Sequence, residues 1–208
     1  MREVDRIFNS MVGKGGSPVI YAVQGFDALQ ENYNPEFLAY INAWQGLSKT
    51  YYTIAEVEQF TQLPQSSSVN MNNYNITSLD ELRYFNGLTT MPNRGGGTSV
   101  VSVIYPDSIT FVGQQTWIIR PNLKYFEIGN AVTEIQNYIF QINTAPTTFV
   151  CRTPTPPIFN TSGYSTAQRA ICDLFVPAES IALYQQASVW NEFKSINAID
   201  PSKKKQSL

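Results

Sequence analysis

The sequence predicts an α+β fold in which a short solenoid of repeated rows forms a parallel sheet between a helical N-terminal segment and a helical C-terminal cap. Three observations predict it: apolar residues recur at a fixed spacing, helix-start signals precede them, and a further helical signal follows. A single row cannot bury its apolar face alone, so several rows must stack. The 208 residues are enough for such a stack and its caps.

Apolar residues recur when the second half of the sequence is written in rows of 23 residues. Alternate residues of a row then point to the same face of a strand. The aligned sets are Val103, Phe126, Phe149 and Cys172; Tyr105, Ile128, Cys151 and Leu174; Ile109 and Val132; Val112 and Ile135; and Trp117 and Phe140. A fixed period of about 20–29 residues is typical of a leucine-rich solenoid, so each row is predicted to supply one strand of a parallel sheet.

This alignment also assigns the two cysteines to neighbouring strands. Cys151 is predicted beside Leu174 and Cys172 beside Phe149, so the cysteines lie diagonally across the strand pair. Such a diagonal separates residues by roughly 7–8 Å, which is too far for a disulfide bond. We therefore expect two reduced, buried thiols that pack as small apolar side chains.

Residues 34–75 are predicted to be a helical segment followed by a linker. Asn34 is a favourable N-cap and Pro35 occupies the first helical position, which predicts a helix to about Leu47. Apolar residues at spacings of three and four give this helix one buried face. The helix is therefore expected to pack against the body of the protein.

Two capping boxes follow this helix. Thr53-Ile54-Ala55-Glu56 predicts a helix through Phe60, and Ser78-Leu79-Asp80-Glu81 predicts another to about Phe85. Acidic residues in a first helical turn interact favourably with the helix dipole, so we interpret these carboxylates as structural rather than as a glycosidase pair. Residues 76–199 are assigned to the repeat module with its C-terminal cap.

Residues 1–33 are predicted to form an extended N-terminal attachment arm. Glycines and Pro18 interrupt any helix there, and Val19–Val23 is a strand candidate. The arm is too apolar to stay free in water, so we expect it to pack on its own body or on a neighbouring subunit. At the other terminus, residues 200–208 are predicted to be a solvated basic tail that contains Lys203-Lys204-Lys205.

Composition argues against several functional classes. The chain contains no histidine, which excludes a histidine-based catalytic triad, general base or imidazole metal site. Two cysteines are too few for a zinc framework, and a net charge of −2 gives no basic footprint for nucleic acid. We expect no catalytic residues, no cofactor, no metal, no membrane insertion and no signal peptide.

The repeated rows resemble those of BspA-like leucine-rich-repeat proteins. Tyr105-Pro106-Asp107-Ser108-Ile109-Thr110-Phe111-Val112-Gly113 resembles the IPNSVTSIG repeat of that family, and Ile128–Ile135 is a looser copy. Thr153–Pro157 resembles its Thr-Pro-Pro element, and Phe175–Tyr184 resembles its C-terminal cap. Residues 76–91 resemble its opening segment. The resemblance covers about residues 50–199 and implies a capped solenoid with about two regular rows and therefore a short sheet.

A second resemblance lies in the arm. Its residues are similar to the opening of fibre-like virion proteins from phages of gut Bacteroidetes. The matching residues, which are also our candidate interaction residues, are Lys14, Gly15, Gly16, Ser17, Pro18, Val19, Ile20 and Tyr21. The resemblance implies that the arm attaches the protein to a larger particle.

Two functional hypotheses remain open at this point. One is a non-enzymatic virion component, such as a fibre, decoration or tail-associated protein, that is attached by its arm, contacts other virion proteins and forms a homo-oligomer. The alternative is a Bacteroidetes cell-surface BspA-like adhesin that binds a host protein or glycan. Polar residues and tyrosines suit the adaptable recognition that an adhesin needs.

Overall fold

The computed structural model describes residues 19–20, 35–64, 69–91, 97–114, 116, 120–140, 146–160, 162–203 and 205–206. Its helical elements are α1 Pro35–Gln45, α2 Ile54–Val57, α3 Thr166–Arg169 and α4 Ile181–Gln186, with 3₁₀ turns at Met71–Asn73, Asp80–Tyr84, Ala178–Ser180 and Trp190–Glu192. Its strands are β1 Val19–Ile20, β2 Tyr52–Thr53, β3 Ser78–Leu79, β4 Ser102–Ile104, β5 Phe111–Val112, β6 Tyr125–Ile128, β7 Glu134–Ile135, β8 Thr148–Cys151, β9 Ile158–Phe159, β10 Asp173–Val176 and β11 Ser195–Ala198.

The principal sheet is six-stranded, with the spatial order β3-β4-β6-β8-β10-β11. Every pair in it is parallel. The fold is therefore α+β with a parallel sheet, in agreement with the coarse prediction from sequence. The prediction of a short sheet with about two regular rows is wrong, because β3 and β11 extend it at the two ends.

One apolar residue from each principal strand lies in a single column of the sheet. The members of this column, each paired with the next and 22 to 25 residues apart, are Leu79, Val103, Phe126, Phe149, Leu174 and Ile196. The first five are completely buried. Side chains that are direct neighbours on adjacent strands pack against one another and stabilise the pairing.

The predicted alignment is confirmed for Val103, Phe126 and Phe149 but is wrong for Cys172. Leu174, not Cys172, pairs with Phe149, because the row that ends at β10 is two residues longer than the preceding one and contains α3. A shift of two residues keeps every side chain on its own face of the strand. The apolar pattern of the sequence therefore did not reveal the longer row.

A second, three-stranded sheet is formed by the later part of three rows, in the order β5-β7-β9. Its strands are parallel, and Val112 pairs with Ile135 as the sequence alignment predicts. The turns between the two sheets also stack. Asn130 N–H donates to Asp107 Oδ1 at 2.9 Å, and a Cβ on Gly129 would lie 2.7 Å from the Pro106 carbonyl oxygen. Only glycine allows this approach of two successive turns.

Aromatic side chains fill the core between the two sheets. The Phe126 and Phe149 rings are 5.2 Å apart, and Phe149 lies 5.8 Å from Trp190 of the cap. Phe140, which the sequence alignment placed toward the core, packs edge-on against Phe126 at 5.0 Å. Such tilted and edge-on ring pairs add to the stabilisation that burial provides.

The helical segment before the sheet agrees in part with its sequence signals. Helix α1 begins at Pro35 as predicted and ends at Gln45, because Gly46 adopts a positive φ of 64° and Leu47 N–H bonds to the Asn42 carbonyl. The Thr53 capping box is confirmed, although α2 is only one turn long. No described helix has the length and apolar character needed to cross a membrane.

The predicted capping box at Ser78 is wrong. Ser78 and Leu79 form β3, and the 3₁₀ turn that follows has no side-chain cap. The Ser78 hydroxyl instead lies 3.2 Å from the Ser102 hydroxyl of the next strand. Ser78, which suggested a helix start, therefore belongs to the first strand of the sheet, and Asp80 and Glu81 lie in the 3₁₀ turn that follows it.

The C-terminal cap follows its prediction more closely. A 3₁₀ turn and α4 span residues 178–186, and Tyr184 and Trp190 are buried. Trp190 Nε1–H donates to the Pro157 carbonyl at 2.9 Å, and the Ser180 hydroxyl donates to the Pro154 carbonyl at 2.7 Å. The cap is thus tied to the proline-rich loop after β8, while β10 and β11 continue the sheet beyond that loop.

Cys151 and Cys172 are both buried free thiols, as predicted. Val150 pairs with Phe175, so the cysteines are further apart along the strands than the predicted diagonal. Burial raises the pKa of both thiols, to about 12 for Cys172. Because only the thiolate is a nucleophile, both side chains are held in the unreactive form.

We predict that N-ethylmaleimide labels neither cysteine of the native protein at about pH 8 and labels both after unfolding in urea. Mass spectrometry of the intact chain measures the number of labels.

The raised pKa of the thiols also predicts how stability depends on pH. Since the unfolded thiol titrates near pH 8.5 and the native one higher, the unfolded state loses its proton first. The free energy of unfolding should therefore fall as pH rises above about 8.5. Rapid labelling of either cysteine in the native protein would contradict the burial of the thiols.

Candidate functional site

Most of the predicted interaction residues lie outside the part of the chain that the structure describes, namely residues 14–18 and Tyr21. Val19 and Ile20 are described and form β1. This strand pairs antiparallel with β2, with Val19 opposite Thr53 and Ile20 opposite Tyr52. The strand predicted in the arm is therefore present over these two residues and is paired with the segment that follows α1.

A network of buried polar side chains lies on the second face of the principal sheet, opposite the aromatic core. Side chains of this face alternate with the core column along each strand. They fall into two columns: Ser78, Ser102, Tyr125, Thr148, Asp173 and Ser195 in one, and Ile104, Glu127, Val150, Phe175 and Asn197 in the other. The face therefore combines polar groups with an apolar centre.

The apolar centre of this face is covered. Ile104, Tyr125, Val150 and Phe175 form a second buried cluster, separate from the main core, and Ile199 packs against it. A parallel sheet normally needs cover on both faces, because its strands carry apolar residues on both sides. Here the cover comes from the C-terminal segment, residues 199–203 and 205–206, which follows β11.

Glu127 lies within this face and is 1% exposed. Its Oε1 accepts a hydrogen bond from Arg152 Nε at 2.6 Å and lies 2.5 Å from Arg152 Nη2. Its Oε2 accepts a hydrogen bond from the Tyr125 hydroxyl. Burial, together with the neighbouring Glu127 carboxylate, raises the pKa of Tyr125 well above its usual value, so the hydroxyl stays protonated and donates.

Asp80 is completely buried at the β3 end of the same face. Its Oδ1 accepts a hydrogen bond from the Ser102 hydroxyl at 2.6 Å, and its Oδ2 forms an ion pair with Lys205 of the C-terminal segment. The Lys205 ammonium group also donates to Ser102 Oγ at 3.1 Å and lies 5.3 Å from the centre of the Tyr125 ring. Asp80, Ser102 and Tyr125 thus form an ammonium site, which Lys205 occupies.

The rest of the C-terminal segment folds into a closed loop over the sheet. Gln206 N–H donates to the Tyr125 hydroxyl at 3.3 Å, and Gln206 is 3% exposed. The Gln206 side chain closes the loop by accepting from Asp200 N–H at 2.7 Å and donating to the Asp200 carbonyl at 3.0 Å. The prediction of a solvated tail is therefore wrong for Lys205 and Gln206, and correct for the exposed Lys203.

A shallow groove lies on the turns between the two sheets. It has a volume of about 280 Å³ and is lined by residues 130–133 and 153–157. Thr153 at its base is buried, and its hydroxyl lies 2.6 Å from the Tyr184 hydroxyl, which also contacts Cys151 Sγ at 3.0 Å. These polar atoms satisfy one another, so they fix the cap in place instead of pointing into the groove.

The ammonium site is not evident from the sequence. Asp80 was interpreted as a helix-start acid, Ser102 was not considered, and the lysines were assigned to solvent. One signal was available: Ile104, Val150 and Phe175 alternate with the core column. Rows that are apolar on both faces indicate a sheet covered on both sides.

Among the described residues, no group of three or more histidine, cysteine or acidic side chains is arranged to hold a metal ion.

Comparison with known proteins adds no relative. No family model matches the chain, and no curated protein matches it. The resemblance to BspA-like repeats thus depends on the sequence motifs quoted above.

We predict that Lys205→Ala lowers the free energy of unfolding by about 2 kcal/mol, because it leaves the buried Asp80 carboxylate without its cation. Urea-induced unfolding followed by tryptophan fluorescence measures this change. Lys124→Ala is the control, because it removes an exposed lysine outside the segment and should cost less than about 0.5 kcal/mol. Equal losses in the two variants would show that the Asp80–Lys205 ion pair does not hold the segment.

Proposed function

We propose that the chain is a BspA-like leucine-rich-repeat solenoid with a non-enzymatic, structural and binding role. The observation that carries this proposal is the pairing of strands in chain order at intervals of 22 to 25 residues, from β3 to β11. Three of these rows also contribute a strand to the second sheet, at the same spacing. Repetition of one structural unit in this way is what distinguishes a solenoid from other parallel sheets.

The buried ionisable groups support a structural role. Asp80 is paired with Lys205, and Glu127 is paired with Arg152 and bonded to Tyr125. Catalytic carboxylates need access to a substrate and a pKa suited to proton transfer. Carboxylates that are buried and already neutralised by cations serve to fix the geometry of a surface.

The biological setting that we propose is a phage virion, in which residues 1–33 attach the module to the particle. The similarity of Lys14–Tyr21 to fibre-like virion proteins supports this. So does β1, which forms only a two-stranded sheet with β2 among the described residues. Such a sheet is marginally stable by itself, and a neighbouring subunit that extends it would stabilise the attachment. The alternative is the cell-surface adhesin, which the polar, tyrosine-rich composition favours.

We predict that antibodies against residues 76–199 label purified particles of the phage whose genome encodes this chain. Immunogold electron microscopy measures the label, and intact host bacteria provide the comparison. Label on particles supports the virion component, whereas label on the surface of uninfected bacteria supports the adhesin. Label on neither would contradict both settings.

A chain that lacks residues 1–18 tests the role of the arm, because this deletion retains β1. We expect it to keep the unfolding midpoint of the full chain and to be absent from assembled particles. Lys124→Ala, which changes an exposed residue of the repeat module, is the control outside the arm and should leave incorporation unchanged. Normal incorporation of the arm deletion would contradict attachment through residues 1–18.

A further inference from the structure

The ammonium site contains the three features that recognise a lysine side chain. Asp80 supplies a carboxylate for the charge, Ser102 supplies a hydroxyl acceptor, and the Tyr125 ring lies 5.3 Å from the nitrogen. An aromatic face near an ammonium group stabilises it through the ring quadrupole. The site is therefore selective for an organic cation, because a divalent metal would require several oxygen ligands.

The site belongs to the body of the protein and is held in shape without the C-terminal segment. Ser102 donates to Asp80 at 2.6 Å, and Tyr125 is fixed by its hydrogen bond to Glu127. Glu127 is in turn held by Arg152. These five side chains come from the strands of the sheet and the residues that directly follow them, so none of these bonds depends on the C-terminal segment.

The described contacts that hold the occupant come from three residues of the C-terminal segment, and Ile199 N–H also donates to the Val176 carbonyl at 2.8 Å. Lys205 fills the site, Gln206 N–H bonds to Tyr125, and Ile199 packs on the apolar cluster. Most of the loop between them is exposed, and the Lys205 side chain is 27% exposed. The ammonium site therefore opens to solvent on one side, which gives a competing side chain a path to Asp80.

We infer that the ammonium site recognises a lysine side chain presented by an extended segment of a partner protein, and that Lys205 occupies it as an internal competitor. This inference rests on the proposed binding role and specifies the chemistry of the partner. Displacement of the C-terminal segment uncovers the apolar cluster of Ile104, Val150 and Phe175 beside the site. A partner strand would bury these residues and place its lysine on Asp80 at the same time.

The test uses the full chain with Lys205→Ala, which empties the site of its ammonium group. The probe is n-propylammonium, which has the atoms that the substitution removes. We expect it to raise the melting temperature of Lys205→Ala in a concentration-dependent manner. Neither 1-propanol, which lacks the charge, nor n-propylammonium added to Asp80→Asn/Lys205→Ala should do so. If n-propylammonium raised the melting temperature of the single and double variants equally, Asp80 would not be the binding group and the inference would be overturned.

The second measurement uses a fluorescein-labelled peptide with the sequence of residues 199–206. Lys205→Ala should bind it at least tenfold more tightly than the wild-type chain, in which the internal lysine competes. A peptide with arginine at the position of Lys205 is the matched control and should bind more weakly, because the larger guanidinium group does not fit the space of an ammonium group. Equal binding of both peptides, or no binding, would overturn lysine recognition.

A third measurement covers the case in which Lys205→Ala does not fold. Excess peptide added to the wild-type chain should then displace the C-terminal segment and increase hydrogen exchange at the Gln206 amide, which is bonded to Tyr125. Unchanged exchange at saturating peptide would overturn the inference. All of these results are separate from the proposed function, because immunogold label on particles does not depend on what the ammonium site binds.

Discussion

Six strands pair in parallel in one register, which aligns the column from Leu79 to Ile196. The aromatic core on one face of the sheet and the C-terminal segment on the other both depend on this register. The column fixes which side chains face the aromatic core. It therefore also fixes which ones face the opposite side, where Ile104, Val150 and Phe175 are apolar. Exposing such a face to water costs free energy, so a second cover stabilises the sheet.

Two buried carboxylates lie at this covered face. Asp80 and Glu127 sit among apolar side chains, where an unpaired carboxylate would be strongly unfavourable. Arg152 neutralises one of them from a neighbouring row, and Lys205 neutralises the other from the end of the chain. Buried ion pairs contribute little net stability but penalise alternative arrangements, so here they specify where the C-terminal segment lies.

The sequence predicted the parts of the fold that depend on local or strictly periodic signals. The start of α1, the Thr53 capping box, the pairing of Phe126 with Phe149 and the free thiols are of this kind. It did not predict β3, because Ser78 together with Glu81 satisfies the rule for a helix start. It misplaced β10, because an insertion of two residues preserves the alternation of faces.

The ammonium site was beyond sequence analysis for a different reason. Asp80 and Lys205 are far apart in the chain, and neither has a local pattern that identifies its partner. Only the stacking of rows brings the first strand within reach of the C-terminal segment, and small errors in row length move every later residue. Long-range ion pairs of this kind become visible only when the register of the whole sheet is known.

The bond between Lys205 and Asp80 joins the segment after one edge strand, β11, to residues beside the other edge strand, β3. In mechanical terms, this changes the path of an applied load. A force that pulls the chain beyond Gln206 reaches Asp80 and the first row before it can peel β11 from β10. Unzipping of the last strand, which is the weakest way to open a stack of parallel strands, then begins only after the ion pair has ruptured.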